Sequence, residues 1–525
     1  MFRKVVNNRI GSPLAAAVCG LAMLASLSSH AEDRVAAPQL TPVPRSGSVD
    51  VPLMMSGIPP LPPMTMSARE GARKFVSTET GTFNGVKVRY RIELAETIIE
   101  TSGGEPAASL FTTSYVAQGK NSAARPVVFV FNGGPGGSSA PLHMTALGPK
   151  RLSSLKLEDL ANPDSPLIAN PETVLDVADL VFIDPVDTGF SRAMPGKAER
   201  FRTVDSDSEA LTQFVLQWLK AHGRMNAPKY ILGESYGSLR AIAMARDLAR
   251  SSEKVVIDGI VLVGSAYTFG SNGRTPEPLM VASKLPMMAS VAWHYGKIDN
   301  RTQSWEQAVD KARAFVRDTY AGALMQGHRL DPETREKVIR ALPGLIGIPE
   351  TYFRQNNRIS VANFNGELLR QEGRVLDRNN GLETRPAEPG TPVGELDYDK
   401  IVSGYAAVTS AMEKLAARLG AKDLGRYVML DRAAMNPGYW SMQIAGDPAL
   451  DVTLAKLLNT HAKMQLLVLQ GRYDTLTDMG TVEYTLGQTD LAPQRYRIAH
   501  YDGGHALAPE KEAMEPLRAL LKGAR

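Results

Sequence analysis

Cysteine is almost missing from this chain: among 525 residues there is one, Cys19. It lies in an N-terminal segment that reads as a removable leader, so the processed chain can form no internal disulfide, and oxidising export is tolerated without one. An excess of one charge sign is missing too. The formal net charge is +4, and removal of Arg3, Lys4 and Arg9 with no acid (4 less 3) leaves +1. So balanced a charge excludes a dedicated nucleic-acid binder. The eight histidines are scattered, with no His-Glu-x-x-His arrangement. No glycine-rich turn carries the Lys-Ser/Thr ending of a phosphate loop or the spacing of a dinucleotide fingerprint, so neither a metal nor a cofactor is expected. No internal repeat is visible. The apolar run Leu14 to Leu27 is too short for a comfortable membrane span. A basic start precedes it and Ser29-His30-Ala31 closes it before Glu32, as in a cleaved export signal. Residues 1–31 are therefore expected to be a signal peptide, with the product periplasmic or secreted and not inserted in the membrane after cleavage.

Residues 32–74 are rich in proline, as in Ile58-Pro59-Pro60-Leu61-Pro62-Pro63, and read as an extended arm. Thr82 to Leu94 and Ser109 to Gln118 alternate well enough for strands, with Gly103-Gly104-Glu105-Pro106 as the turn between them. Val127 to Phe131, Leu180 to Ile183, Lys229 to Leu232 and Val255 to Val263 read as buried strands with helices between them. Asp207 to Ala221 is one such helix, with Leu211, Phe214, Val215, Trp218 and Leu219 on its apolar stripe. This alternation predicts an α/β sheet. From about Tyr267 to Pro448 the pattern changes to helices, including Ser304 to Met325 and Tyr405 to Leu419. A stretch of that length is too long for a simple crossover and reads as a cap over the catalytic face. Within it, Gly373 to Asn380 is charged and loop-like; it is taken as a solvated cap loop, with a rim of the substrate entrance as the other reading. The expected division is 75–266 and 451–525 for the two parts of the sheet domain and 267–450 for the cap.

The residues that bear chemistry occur at the ends of these strands. Gly233-Glu234-Ser235-Tyr236-Gly237 stands between the apolar Tyr230-Ile231-Leu232 and a helix-like run from Ser238 to Leu248. A G-x-S-x-G between strand and helix is the signature of a nucleophile elbow, which holds a serine hydroxyl exposed above a sheet. Met464 to Leu469 reads as a strand ending near Asp474, where a carboxylate can orient a histidine. Arg495 to Ala499 reads as a last strand leading to His505. The order Ser235, Asp474, His505 suits triad acyl transfer. After the strand Val127 to Val130, Phe131-Asn132-Gly133-Gly134-Pro135-Gly136-Gly137-Ser138-Ser139 forms a glycine-rich turn able to offer a backbone N–H to an oxyanion.

The pair Asn132-Gly133-Gly134-Pro135-Gly136 and Gly233-Glu234-Ser235-Tyr236-Gly237 resembles the serine carboxypeptidases of the carboxypeptidase Y and cathepsin A group. Asn170-Pro171, Val177 to Asp184, Gly189-Phe190-Ser191 and Ile257 to Gly264 fit the same pattern, and the likeness runs from about residue 75 to the C-terminus. It implies an α/β-hydrolase fold with a large helical cap insertion and hydrolysis of the C-terminal bond of a peptide substrate. Ser235 would be the nucleophile, His505 the base and then acid, and Asp474 the orienting carboxylate. The N–H groups of Gly134 and Tyr236 would form the oxyanion hole, and Asn132 and Glu234 would bind the substrate's free carboxylate. A glutamate beside that carboxylate is a like-charge pair, which favours acidic pH. The chain departs from the family in three places. Ala146-Leu147-Gly148-Pro149 stands where the family has Glu-x-Gly-Pro, so one carboxylate-binding acid is absent. Gly137 replaces a common cysteine, and Arg472 replaces the first acid before the triad aspartate. The first departure leaves open an esterase or acyltransferase that needs no free C-terminus, and a catalytically silent binding protein is the other alternative. It also leads to an expected pH optimum less acidic than the family's norm.

Overall fold

The computed structural model describes residues 72–119, 122–266, 277–356, 358–387, 398–435, 439–441 and 449–523. The leader and nearly all of the proline-rich arm lie outside these residues. The sheet begins with β1 (Lys74–Phe83), β2 (Val86–Glu100) and β3 (Pro106–Ala117), paired antiparallel. It continues with β4 (Val127–Phe131), β5 (Asp179–Ile183), β6 (Lys229–Glu234), β7 (Gly259–Val263), β8 (Gln465–Gly471) and β9 (Tyr496–Tyr501). The strand order is β1-β2-β3-β5-β4-β6-β7-β8-β9, and a two-residue strand, Arg192–Ala193, pairs with β3. From β5 to β9 all neighbours are parallel.

Strands β4 to β8 are buried on both faces, and their side chains alternate between two cores, while the edge strand β9 is only partly buried. Phe129, Phe131, Ile260, Leu262, Leu466 and Val468 pack on one face with α1 (Val204–Ala221) and α2 (Gly237–Arg250). Val128, Val130, Val261, Val263, Leu467 and Leu469 pack on the other, with Leu142, Leu147, Leu517 and Leu520. Helix α1 starts one turn before its predicted position. Thr203 accepts from Ser206 N–H and Ser206 reciprocates, a capping box that fixes its first turn.

One predicted strand is really two. Thr82 to Leu94 was expected to run unbroken, but Asn84 and Gly85 sit at φ 47° and 76° and turn β1 into β2. Two consecutive left-handed residues make the tight hairpin turn that Asn-Gly favours. The glycine-rich turn before Pro106 forms as expected, with Gly104 N–H on Thr101 O.

Between Val263 and Gln465 helices predominate. Leu285, Met288, Val309, Leu342 and Phe364 belong to an apolar core distinct from those of the sheet. Helix α3 (Ala406–Arg418) turns Ala407, Val408, Ala411 and Met412 toward Met144, Leu152 and Phe190.

Candidate active site

Parallel strands present their carboxyl ends at one edge, where α/β sheets bind ligands. Asn132 follows β4, Ser235 follows β6, Asp474 lies just past β8 and His505 just past β9. Strands β4 and β6 are neighbours, with Phe131 opposite Gly233, so the glycine-rich turn lies against the elbow.

Ser235 has φ 58°, a left-handed conformation that costs a β-carbon-bearing residue energy. The surrounding glycines allow it. A β-carbon on Gly133 would lie 2.5 Å from Tyr236 N, and one on Gly233 would lie 2.1 Å from Gly237 O. The result is a half-buried serine at the tip of a strained strand-to-helix turn. Among the described residues, neither the Gly134 N–H nor the Tyr236 N–H donates to a protein acceptor. Two unspent donors beside a nucleophile are what an oxyanion needs.

Asp474 is fully buried and accepts from Leu476 N–H at 2.9 Å, Thr477 N–H at 2.9 Å and Thr477 Oγ1 at 2.6 Å. His505 Nδ1 lies 3.0 Å from Asp474 Oδ2 and 3.0 Å from Thr477 Oγ1. That leaves Nε2 as the free ring nitrogen. Burial works against the imidazolium, but the Asp474 charge and hydrogen bond, helped by Glu234, outweigh it and raise the His505 pKa above its ordinary value. Among the described residues Ser235 Oγ makes no hydrogen bond to His505. Such contacts are often long before substrate binds.

Asn132 and Glu234, expected to bind the substrate's carboxylate, are brought together. Asn132 Nδ2 donates to Glu234 Oε1 at 2.6 Å, and Leu507 N–H donates to Glu234 Oε2 at 2.9 Å. Burial pushes the Glu234 pKa up, only partly countered by the His505 charge and these donors. Ala146 is fully buried in the core against Leu142 and Leu147.

Sequence reasoning missed the groups that brace this edge. Arg240 donates to Asp207 Oδ2 at 2.7 Å and to Asn132 O at 2.7 Å, and the Tyr236 hydroxyl donates to Asp207 at 3.2 Å. This buried ion pair ties α1 and α2 to the elbow and to the glycine-rich turn. Ser139 donates to Asp184 Oδ1 from its N–H at 2.9 Å and its hydroxyl at 2.8 Å, and Tyr427 adds a third donor at 3.0 Å. Burial raises the Asp184 pKa to about 6 despite these donors. Partners so far apart in sequence carry no local signal. Thr477 had one, because Asp474 accepting from residues two and three ahead is a common local turn. Among the described residues no helix is long and apolar enough to cross a membrane, and no group of His, Cys, Asp or Glu is arranged to hold a metal ion.

The sheet, its helical insertion and the elbow at its carboxyl edge define an α/β hydrolase. The model of the serine carboxypeptidase family matches residues 102–495, and the chain belongs to that family. It is 29% identical over 166 residues to serine carboxypeptidase-like 21 of Arabidopsis thaliana, covering 31% of this chain and 32% of that protein. It is 32% identical over 141 residues to retinoid-inducible serine carboxypeptidase of Homo sapiens, covering 26% and 28%. These matches span about a third of the curated relatives' length. A prohormone-processing carboxypeptidase of Saccharomyces cerevisiae has the same fold, with a TM-score of 0.50, 14% identity, and 82% of this chain and 91% of that chain covered.

Proposed function

We propose that the protein is an exported serine-type carboxypeptidase, periplasmic or secreted, that releases the last residue of peptides through an acyl-enzyme. The observation that carries this reading is the left-handed Ser235 beside two unspent N–H donors and an Asp474–His505 pair. In this mechanism Ser235 Oγ attacks the scissile carbonyl and its proton passes to His505 Nε2. The imidazolium so formed is held by Asp474 and Thr477. The oxyanion sits against the N–H groups of Gly134 and Tyr236. His505 then gives the proton to the departing amine, and water, activated by the same imidazole, releases the acyl group. Asn132 and Glu234 face the leaving residue's carboxylate, and residues 267–450 form the cap that bounds the peptide site.

Ala146 favours a second reading, an esterase or acyltransferase with no need of a free C-terminus, because the family's third carboxylate-binding group is missing. An N-blocked dipeptide and its C-terminal amide separate the two. Fast release from the acid and slow turnover of the amide are expected. Equal turnover of both would exclude a carboxypeptidase.

A further inference from the structure

The Asn132–Glu234 pair has little capacity left for a substrate carboxylate. Asn132 Oδ1 accepts from Leu142 N–H at 3.0 Å and one Nδ2 hydrogen is given to Glu234. Both Glu234 oxygens already accept. One amide hydrogen remains, while a carboxylate has two oxygens to satisfy and carries a charge. With alanine at 146, the missing donors must come from elsewhere.

The helical insertion carries two donors beside the triad loops and the Ala146 turn that have no partner among the described residues. The turn Asp377 to Gly381, taken from sequence as a solvated loop, is fastened to both triad loops. Thr475 Oγ1 donates to Arg378 O at 2.7 Å, His505 N–H to Asn379 O at 3.0 Å, and Gly381 N–H to Tyr473 O at 2.8 Å. Asp377 Oδ1 closes the turn by accepting from Asn379 and Asn380 N–H. Arg378 is thereby held with its backbone against the residue after Asp474, and its charge reaches His505. Its guanidinium is partly exposed and makes no hydrogen bond or ion pair with any described residue. The other donor is Tyr405, the residue before α3, packed beside the cluster that holds Met144 of the Ala146 turn. Its hydroxyl likewise has no partner among the described residues. Burial, then the charges of Glu234, Glu383 and Asp377, push its pKa up to about 12, so it keeps its proton as a donor. Leu507 N–H binds Glu234 while His505 N–H binds Asn379, so one short loop ties the Asn132–Glu234 pair and the turn that carries Arg378 to the same corner.

We propose that Arg378 and Tyr405 together receive the free carboxylate of the substrate's last residue, in place of the acid absent at Ala146. A guanidinium offers two parallel N–H donors to a carboxylate, and its charge offsets the repulsion from Glu234. Recognition then passes from shared protons between acids to a cation and a phenol carried by the cap.

The clamp rests on the carboxypeptidase reading, and one experiment separates their failures. The kcat/KM for an N-blocked dipeptide and for its C-terminal amide is measured with the wild type, Arg378→Gln, Arg378→Lys and Tyr405→Phe. Loss of a charge-assisted contact should lower the acid-to-amide ratio about tenfold to a hundredfold in Arg378→Gln, through the KM of the acid. Arg378→Lys should recover part of the ratio, and it keeps the test readable if the glutamine variant folds poorly. Tyr405→Phe should lower the ratio by less than Arg378→Gln. A wild-type ratio well above one that is unchanged in Arg378→Gln overturns the clamp alone, because Arg378 then only tunes His505. A wild-type ratio near one overturns the carboxypeptidase reading and the clamp with it.

Discussion

Along the carboxyl edge of the sheet, Asn132, Ser235 and Asp474 follow buried strands and His505 follows the part-buried edge strand β9, and the groups that hold them see almost no solvent. Between Val263 and Gln465, by contrast, the chain builds a largely helical core and meets the sheet domain at several places, among them the turn at 377–381, Tyr427 on Asp184 and the packing of α3 on Met144 and Phe190. The ion pairs differ in the same way. Arg240–Asp207 is 0% and 2% exposed, whereas Arg313–Glu483, which joins the helix Trp305–Phe315 to Met479–Gly487, is 32% and 25% exposed. The contrast teaches a division of labour. The edge holds its polar side chains by burial and is expected to tolerate little change, while the insertion, on the reading proposed above, carries the more adjustable contacts to substrate.

Four perturbations test that contrast. The largest effect is expected from Asp474→Asn, which removes the charge that orients His505. The kcat/KM of a blocked peptide should fall by about 10⁴-fold. Near-normal turnover would break the assignment of Asp474. Next, Arg240→Met leaves Asp207 buried without its cation and should destabilise the protein by about 3–5 kcal/mol in urea unfolding. A loss below about 1 kcal/mol would remove the claim that burial holds the oxyanion hole. Thr477→Val deprives the buried Asp474 carboxylate of one donor, and kcat/KM should fall about tenfold. The smallest effect is expected at Arg313→Met, where solvent screens the pair and the cost should stay under about 1 kcal/mol by the same unfolding measurement.

The pH dependence sharpens the same point. His505 must lose its proton to act as a base, and its pKa is raised above the ordinary 6.5. Wild-type kcat/KM should therefore climb with pH through an apparent value above 6.5. For stability the sign is opposite: the His505–Asp474 attraction is full below the unfolded imidazole pKa and is lost as pH rises through the raised one. An optimum near pH 4–5 in a pH–rate profile would contradict the role given to His505.

The edge was largely legible from sequence because its signals are local. Strands β4 to β8 are short apolar runs closed by glycine or polar residues, and the elbow and the Asn-Gly-Gly-Pro-Gly turn are contiguous motifs. What sequence reading missed depends on contacts between distant segments, or on a turn signal passed over. Asp207 reads as an ordinary first-turn helix acid until Arg240 is folded against it. The turn at Arg378 reads as a charged loop until Thr475 and His505 donate to it. Asn84-Gly85 is a different miss, because the dipeptide is a strong hairpin signal inside a run whose alternation looked continuous.

The central claim is that the strained elbow makes Ser235 a nucleophile. The direct measurement is intact-mass and peptide mapping of the wild type and Ser235→Ala after exposure to a fluorophosphonate probe. The account predicts one probe adduct, on the peptide that contains Ser235, and none in the alanine variant. An adduct on another residue, or labelling retained in Ser235→Ala, would contradict it.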